Sequence, residues 1–253
     1  FYYAPPSGFL ALCTSNLPEP TISPNADTQA DDYFNTVLWN GNNSTQSITG
    51  VGFQPDWLWI KNRTSASFGH SLTDSSRGAN IVLLSDTLDD EFTNANNVNA
   101  FASDGFNLGN TSYSGYSNQN GSSYVGWNWK ANGGTTSSNS DGSITSTVQA
   151  NTDAGFSIVT WSSTSSSHTV GHGLNATPNL IITKIRNIAN DWYVWHHSYE
   201  ITKALNLNAT TALASHTRFG NQDPTSSVFS YNTGGVYTNV AYCFAEIEGY
   251  SKF

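Results

Sequence analysis

Methionine is missing from all 253 residues, position 1 included, so the chain is expected to be a processed product or a piece of something longer. Charge is scarce as well: 9 Lys and Arg stand against 18 Asp and Glu, and charged residues make up 11% where ordinary domains carry about 25%. A formal charge of −9 argues against nucleic acid or an anionic membrane as partner. No apolar run approaches the roughly 18 residues of a membrane span, and no basic and apolar signal segment opens the chain. The two cysteines, Cys13 and Cys243, have no CxxC or Cys/His cluster beside them, which excludes a structural zinc site. Whether they are bridged stays open, because a pair this far apart in sequence fixes no geometry.

What fills the space is polar and uncharged. Ser, Thr and Asn together make 91 residues, and Leu, Ile, Val and Phe only 52, close to a disordered composition. The 8 Trp and 12 Tyr reverse that reading by supplying a core. Apolar residues recur with period two in short runs bounded by Gly, Asn, Asp or Ser, the pattern of an all-β protein. Strands are predicted over 33–39, 57–61, 81–84, 124–130, 156–161, 180–185, 192–197 and 240–246, and helix evidence is confined to 87–92. Asn40-Gly41, Asp104-Gly105, Asn120-Gly121 and Asp141-Gly142 are expected to turn hairpin corners with positive φ. Without amphipathic helices between strands, parallel βαβ folds and the dinucleotide and phosphate loops they carry are not expected.

The chain also repeats itself. Phe34-Asn35-Thr36-Val37-Leu38-Trp39 recurs as Phe156-Ser157-Ile158-Val159-Thr160-Trp161, and the segment 46–53 recurs as 167–174. Pro55 to Arg63 matches Pro178 to Arg186, Thr73-Asp74-Ser75 falls on His196-His197-Ser198, and Val125 to Ala131 corresponds to Val240 to Glu246. The expectation is two tandem antiparallel β-sandwich domains, lectin- or jelly-roll-like, at 31–134 and 144–253. A Gly, Ser, Thr and Asn linker at 135–143 joins them, and an extended arm at 1–30, holding five of the eight prolines, precedes them. Trp57 and Trp59 alternate with Leu58 and Ile60, so that strand reads as buried on both sides. Val125, Trp127 and Trp129 read as the core face of a one-sided strand.

Several blocks carry a resemblance: Thr49 to Arg63 (Thr-Gly-x-Gly-Phe-x-Pro-Asp-x-x-Trp-Ile-Lys-x-Arg), Asp74-Ser75-Ser76-Arg77-Gly78, Ser103-Asp104-Gly105-Phe106, Tyr124 to Ala131, Gly155 to Val159 and Ala241 to Phe253. Over 31–253 they resemble a domain family found in long structural proteins of tailed phages, especially marine and cyanobacterial ones. Tyr3 to Phe9 with Ala11 to Pro18 is similar to the peptide that trails a SPRY-type sandwich in those proteins, and the sandwich itself is absent here. The resemblance implies a virion component of the tail-fibre or surface-fibre kind, on the tail or the capsid exterior, with a lectin-like sandwich. It brings no catalytic or ligand residues.

Catalysis and metal binding find little footing. His168 and His172 on one strand would stand about 13 Å apart, at roughly 3.3 Å per residue, too far to share a metal, and His196 and His197 should point to opposite faces. There is no Gly-x-Ser-x-Gly elbow, and Asp74-Ser75 lies near His70 only in sequence. Asp86, Asp89, Asp90 and Glu91 cluster and are the candidates for Ca²⁺ or for a glycosidase carboxylate pair, yet they sit on one loop without the spacing either chemistry needs, so a solvated acidic loop is the simpler reading. No cofactor is expected. Aromatic rings beside Asn and Ser oxygens suit sugars, and Tyr113, Tyr116 and Asn120, with Trp192, Tyr193 and Trp195, are the candidate ligand residues. The functional expectation is a non-enzymatic virion structural protein, a tail or surface fibre, presenting a host-glycan-binding surface. A capsid decoration protein is the alternative, then a polysaccharide-degrading tail enzyme. Partners would be other virion proteins and further copies of the chain, as a trimer if it forms a fibre.

Overall fold

The computed structural model describes residues 6–7, 20, 22–23, 27–110, 115–220 and 222–253. Cys13, Tyr113 and most of the expected arm lie outside them. Among the described residues the fold is all-β, built from antiparallel sheets packed as sandwiches, and no helix is long and apolar enough to cross a membrane.

The first half supplies β1 (Phe34–Asn40), β2 (Gln46–Thr49), β3 (Trp57–Asn62), β4 (Ser71–Asp74), β5 (Ile81–Leu84), β6 (Phe92–Thr93), β7 (Val98–Ala102), β8 (Gly105–Leu108) and β9 (Ser123–Trp129). They form a six-stranded sheet in the order β1-β9-β3-β4-β5-β6 and a small sheet β2-β8-β7. The second half supplies β10 (Ser137–Asn139), β11 (Ser146–Asn151), β12 (Phe156–Ser162), β13 (His168–Gly171), β14 (Leu180–Ile185), β15 (Tyr193–His196), β16 (Lys203–Asn206), β17 (Ala214–Ser215), β18 (Val228–Tyr231) and β19 (Thr238–Phe244). Its large sheet runs β10-β11-β12-β19-β14-β15-β16-β17, and β13 pairs with β18. From β12 to β17 the order repeats that of the first sheet, strand for strand. The short β10 falls within 135–143, so that Ser- and Asn-rich stretch extends the second sheet by an exposed edge.

Burial explains why these residues make strands. One core lies inside the first sandwich, where Trp39, Leu58, Ile60, Phe106 and Tyr124 meet, and one inside the second, where Val159, Trp161, Ile181, Trp195 and Phe229 meet. A third core joins the outer faces of the two large sheets: Trp57, Leu72 and Leu83 on one side, Phe156, Ile158, Ile182, Tyr242 and Phe244 on the other. The large sheets are therefore covered on both faces, as strands apolar on both sides require. This corrects the one-sided reading of β9. Its Gly126 and Asn128 face is the fully buried one, with Trp39 and Leu58 filling the room over Gly126; Trp127 and Trp129 lie on the outer face, where Trp129 packs into the joint with the second sheet and Trp127 packs against Trp59.

Turn chemistry divides. Asp104-Gly105 makes the β7–β8 hairpin with Gly105 at φ 145°, whereas Gly41 and Gly142 are required for close approach, since a Cβ there would stand 2.2 Å from the Gln119 carbonyl oxygen and 2.3 Å from that of Thr169. The helix expected over 87–92 does not form. Glu91 N–H donates to the Arg186 carbonyl and Asn190 N–H to the Leu88 carbonyl, each at 2.8 Å, so bonds to the second half hold this segment extended into β6. At the entry to the first sheet, Ile22 is buried in the joint core and bridges Thr28.

Candidate functional site

Cross-strand register sets out the joint between the large sheets. Phe34, Trp129 and Trp57 lie opposite one another across β1, β9 and β3, and Thr36, Trp127 and Trp59 form the next row on the same face. Facing them, Phe156, Phe244 and Leu180 form a row across β12, β19 and β14, followed by Ile158, Tyr242 and Ile182. Where the rows are closest the joint is dry and stacked, with Trp57 4.2 Å from Tyr242 and 4.4 Å from Trp129 between ring centroids.

Toward the C-terminus the two faces part and leave a cleft of about 330 Å³. Phe34, Trp59 and Trp129 line it from the first sheet, Phe156, Leu180 and Phe244 from the second, and Tyr250 and Phe253 close its end. The closure comes from the terminal hook, in which Ile247 bridges Ser251 and brings Phe253 5.7 Å from Phe244. A hollow of about 590 Å³ over 246–252 shares Tyr250 and Ser251 with the cleft, but one chain segment forms it alone, so its shape depends on that turn. Burial pushes the Tyr250 hydroxyl up to about 12, with Tyr33 adding to it, so it remains a neutral donor. Trp57 is buried, Trp59 and Trp129 are half-buried, and the indole N–H groups of Trp57 and Trp59 have no partner among the described residues.

Beside the aromatic joint runs a polar clamp. Asp74, wholly buried, accepts from Arg77 and, at 2.7 Å, from the Tyr242 hydroxyl of the other half. Glu91 takes a bidentate pair from Arg186 at 2.8 and 2.9 Å and a longer contact from Arg77. The Asp74 carboxylate holds the buried Arg77 guanidinium firmly protonated against desolvation, and burial raises the Tyr242 hydroxyl well above its ordinary value. Lys184, fully buried, donates to the Leu88 carbonyl at 2.9 Å and to that of Asn190, and burial pulls it down to about 8.

This clamp decides the fate of the acidic cluster. Asp86 accepts the His70 N–H at 2.8 Å, Asp89 pairs with Thr87, Glu91 bridges the halves, and Asp86, Asp89 and Asp90 are exposed. Among the described residues no three His, Cys, Asp or Glu side chains are placed to hold a metal. Trp192, Tyr193 and Trp195, expected as ligand rings, are core residues instead. Trp192 lies in the joint core with its indole donating to the Leu84 carbonyl at 2.8 Å, and Tyr193 and Trp195 pack inside the second sandwich, so none offers a face to solvent. Tyr116 is half-buried against Phe68 and Phe92, Asn120 is exposed with its N–H on the Asn43 side chain, and Tyr113 lies outside the described residues.

The histidines also differ from expectation. His196 and His197 do not diverge, because β15 ends at His196 and the following turn brings the rings 4.7 Å apart. His172 is buried: its Nδ1 accepts from Leu174 N–H, which leaves Nε2 to donate to the Thr225 carbonyl, and desolvation pulls its pKa down to about 4. His168 is buried too, with Nδ1 on the Ser166 carbonyl.

Sequence reasoning missed the cleft rings Phe34, Trp59, Trp129, Phe244 and Phe253. The available signal was a strand with aromatic residues on one face while Leu58 and Ile60 already filled the other. Three acidic residues of the quoted blocks, Asp56, Asp74 and Asp104, are occupied within the chain. Asp56 accepts from the Ala131, Gly133 and Gly134 N–H groups and from the Ser75 hydroxyl, and Asp104 accepts from the Gly50 and Gly52 N–H groups. These blocks record how the fold is held.

Residues 29–253 match the family described as Domain of unknown function (DUF7483), and the chain belongs to that family. No curated protein and no solved structure matches it.

Proposed function

We propose that this member of the DUF7483 family is a non-catalytic virion structural protein, of the tail-fibre or surface-fibre kind, that holds a host-surface glycan in the cleft between its two large sheets. The observation that carries the reading is the pair of half-buried indoles, Trp59 and Trp129, on an opening of about 330 Å³, near the lower end of the roughly 300–1,000 Å³ typical of ligand pockets. Sugars present C–H faces that stack on aromatic rings and hydroxyls that satisfy donors such as the indole N–H, which gives the cleft something to recognise at both ends. The phage setting rests on the sequence blocks from Thr49 to Arg63 and from Ala241 to Phe253.

Retention of the full chain on immobilised host polysaccharide tests this. Trp59→Ala and Trp129→Ala should each weaken retention roughly tenfold, a fraction of what a large buried aromatic contributes to an interface, with the far-ultraviolet spectrum unchanged. Retention indifferent to both variants would remove the cleft from the account, and release of new reducing ends during the incubation would replace the binding module by an enzyme.

One feature favours the decoration alternative: among the described lining residues Ser251 is the only polar side chain that is not aromatic. A cleft this apolar would also accept an extended apolar segment of a neighbouring capsid protein. Immunogold labelling of purified particles separates the two, since label on tails or fibres goes with the glycan reading and even label over the head with decoration.

A further inference from the structure

The two halves differ at one edge. In the second sheet β12 is covered along its outer side by β11, with Thr147 opposite Thr160 and Val148 opposite Val159, and β10 lies beyond. Among the described residues its counterpart β1 pairs only with β9. The Lys130 N–H donates to the Tyr33 carbonyl and the Gly41 N–H to the Ser122 carbonyl, which fixes the phase of the ladder. Asn35, Val37 and Trp39 therefore direct their peptide groups to β9, and Phe34, Thr36, Leu38 and Asn40 direct theirs to the open edge. The Thr36 N–H is taken by the Asn35 side chain at 2.8 Å and the Asn40 carbonyl by Gln46 at 3.2 Å. The Leu38 N–H and carbonyl, the Thr36 carbonyl and the Asn40 N–H have no partner among the described residues, and Leu38 is 62% exposed.

We infer that this edge is an interface at which β1 pairs antiparallel, about a two-fold axis, with β1 of a second copy of the chain. Three observations point to that occupant. The strand Phe-Asn-Thr-Val-Leu-Trp-Asn carries no charge, proline or bulge, the devices by which edges are usually protected. It is seven residues long, whereas the other outer strands of the large sheets, β6, β10 and β17, have two, three and two, so the strand that matches it is another β1. The unpartnered groups are also self-complementary. With Leu38 opposite the partner's Leu38, each Leu38 N–H meets the other's carbonyl and each Asn40 N–H meets the partner's Thr36 carbonyl. The two groups already occupied within the chain fall opposite each other and need not be released. The same register lays the exposed Leu38 side chains together, where the second half places Thr160 against Thr147.

Sedimentation of the full chain over a dilution series tests the pairing. The expected result is a dimer that dissociates on dilution. Leu38→Lys, at an exposed position, should weaken it tenfold or more by setting like charges opposite each other. Leu38→Cys in a Cys13→Ser background should cross-link under mild oxidation, because directly opposed residues stand about 5.5 Å apart at Cα, within reach of a disulfide. A monomer at every concentration, a trimer, or a dimer that Leu38→Lys leaves intact and Leu38→Cys fails to cross-link would overturn the inference.

Discussion

The two large sheets share a strand order but meet each other with different faces. The first contributes indoles, Trp57, Trp59 and Trp129, and a buried carboxylate, Asp74. The second contributes Leu180, Ile182 and Phe244 at the places of the three indoles, with Tyr242 where the first has Trp127. Asp74 stands opposite Trp57 just as His196 stands opposite Leu180, one residue from the pairing with His197 that the sequence alignment suggested. Two copies of one surface would have set carboxylate against carboxylate or indole against indole. Divergence at the joint, with the hydrogen-bonded scaffold kept, made the faces complementary and left the cleft where complementarity ends.

Replacing Asp74 should break that comparison most severely. Asp74→Ala leaves the buried Arg77 guanidinium without its carboxylate and the Tyr242 hydroxyl without its acceptor, and losing one partner of a buried ion pair costs about 3–5 kcal/mol. His196→Ala, at the equivalent position of the other half, removes a partly exposed ring bonded to Ser198 and should cost no more than about 0.5 kcal/mol. Urea unfolding of both variants checks the contrast. Similar losses would mean that the polar clamp is not what distinguishes the two faces.

The strands were legible in the sequence because most of them bury one face deeply enough to leave a period of two, and the repeat was legible because its turns and indoles recur. The joint was not. Apolar residues on both faces of β3 show that each face is covered, as the structure has it, but not that a second sheet is what covers the Trp57 face. The segment 87–92 forms no helix for the same kind of reason: its conformation is set by Arg186, Lys184 and Asn190, about a hundred residues away, and not by its own propensities. Trp192 looked like a surface ring because nothing local indicates that Leu84 accepts its N–H.

Acid sharpens the comparison at a second corner. Val51 and His172 occupy equivalent positions after β2 and β13, and both donate their N–H to the residue before the returning strand, Asp104 and Ser227. Only the second corner carries a buried histidine. Desolvation holds His172 at about 4 against an ordinary 6.5, so between those values the unfolded chain binds the proton and the native chain does not. Its stabilising contribution is complete above the ordinary value and is lost as pH falls through the window, up to roughly 3 kcal/mol at the acid end. Desolvation lowers His168 and His216 in the same direction. Denaturant midpoints should fall between about pH 7 and about pH 4.5, and His172→Val, which installs the residue of the first half, should flatten that fall even though it costs stability at neutral pH.

The smallest effect belongs to the same corner of the first half. Asp104 is solvated, and its carboxyl lies below the ordinary range because the Gly52 and Gly50 N–H groups donate to it. Asp104→Ser, the residue at the second corner, exchanges those two bonds for bonds to water, so the loss in stability should be slight and the visible change should be faster amide exchange at Gly50 and Gly52. The sign also separates the halves. A depressed carboxyl contributes above its ordinary value of 3.8 and loses that contribution as pH falls further. The first corner should therefore loosen only after the His172 corner has taken up its proton. Amide exchange followed at both corners through an acid titration would show the second opening before the first, and the opposite order would mean that His172 is not what makes the second half acid-labile.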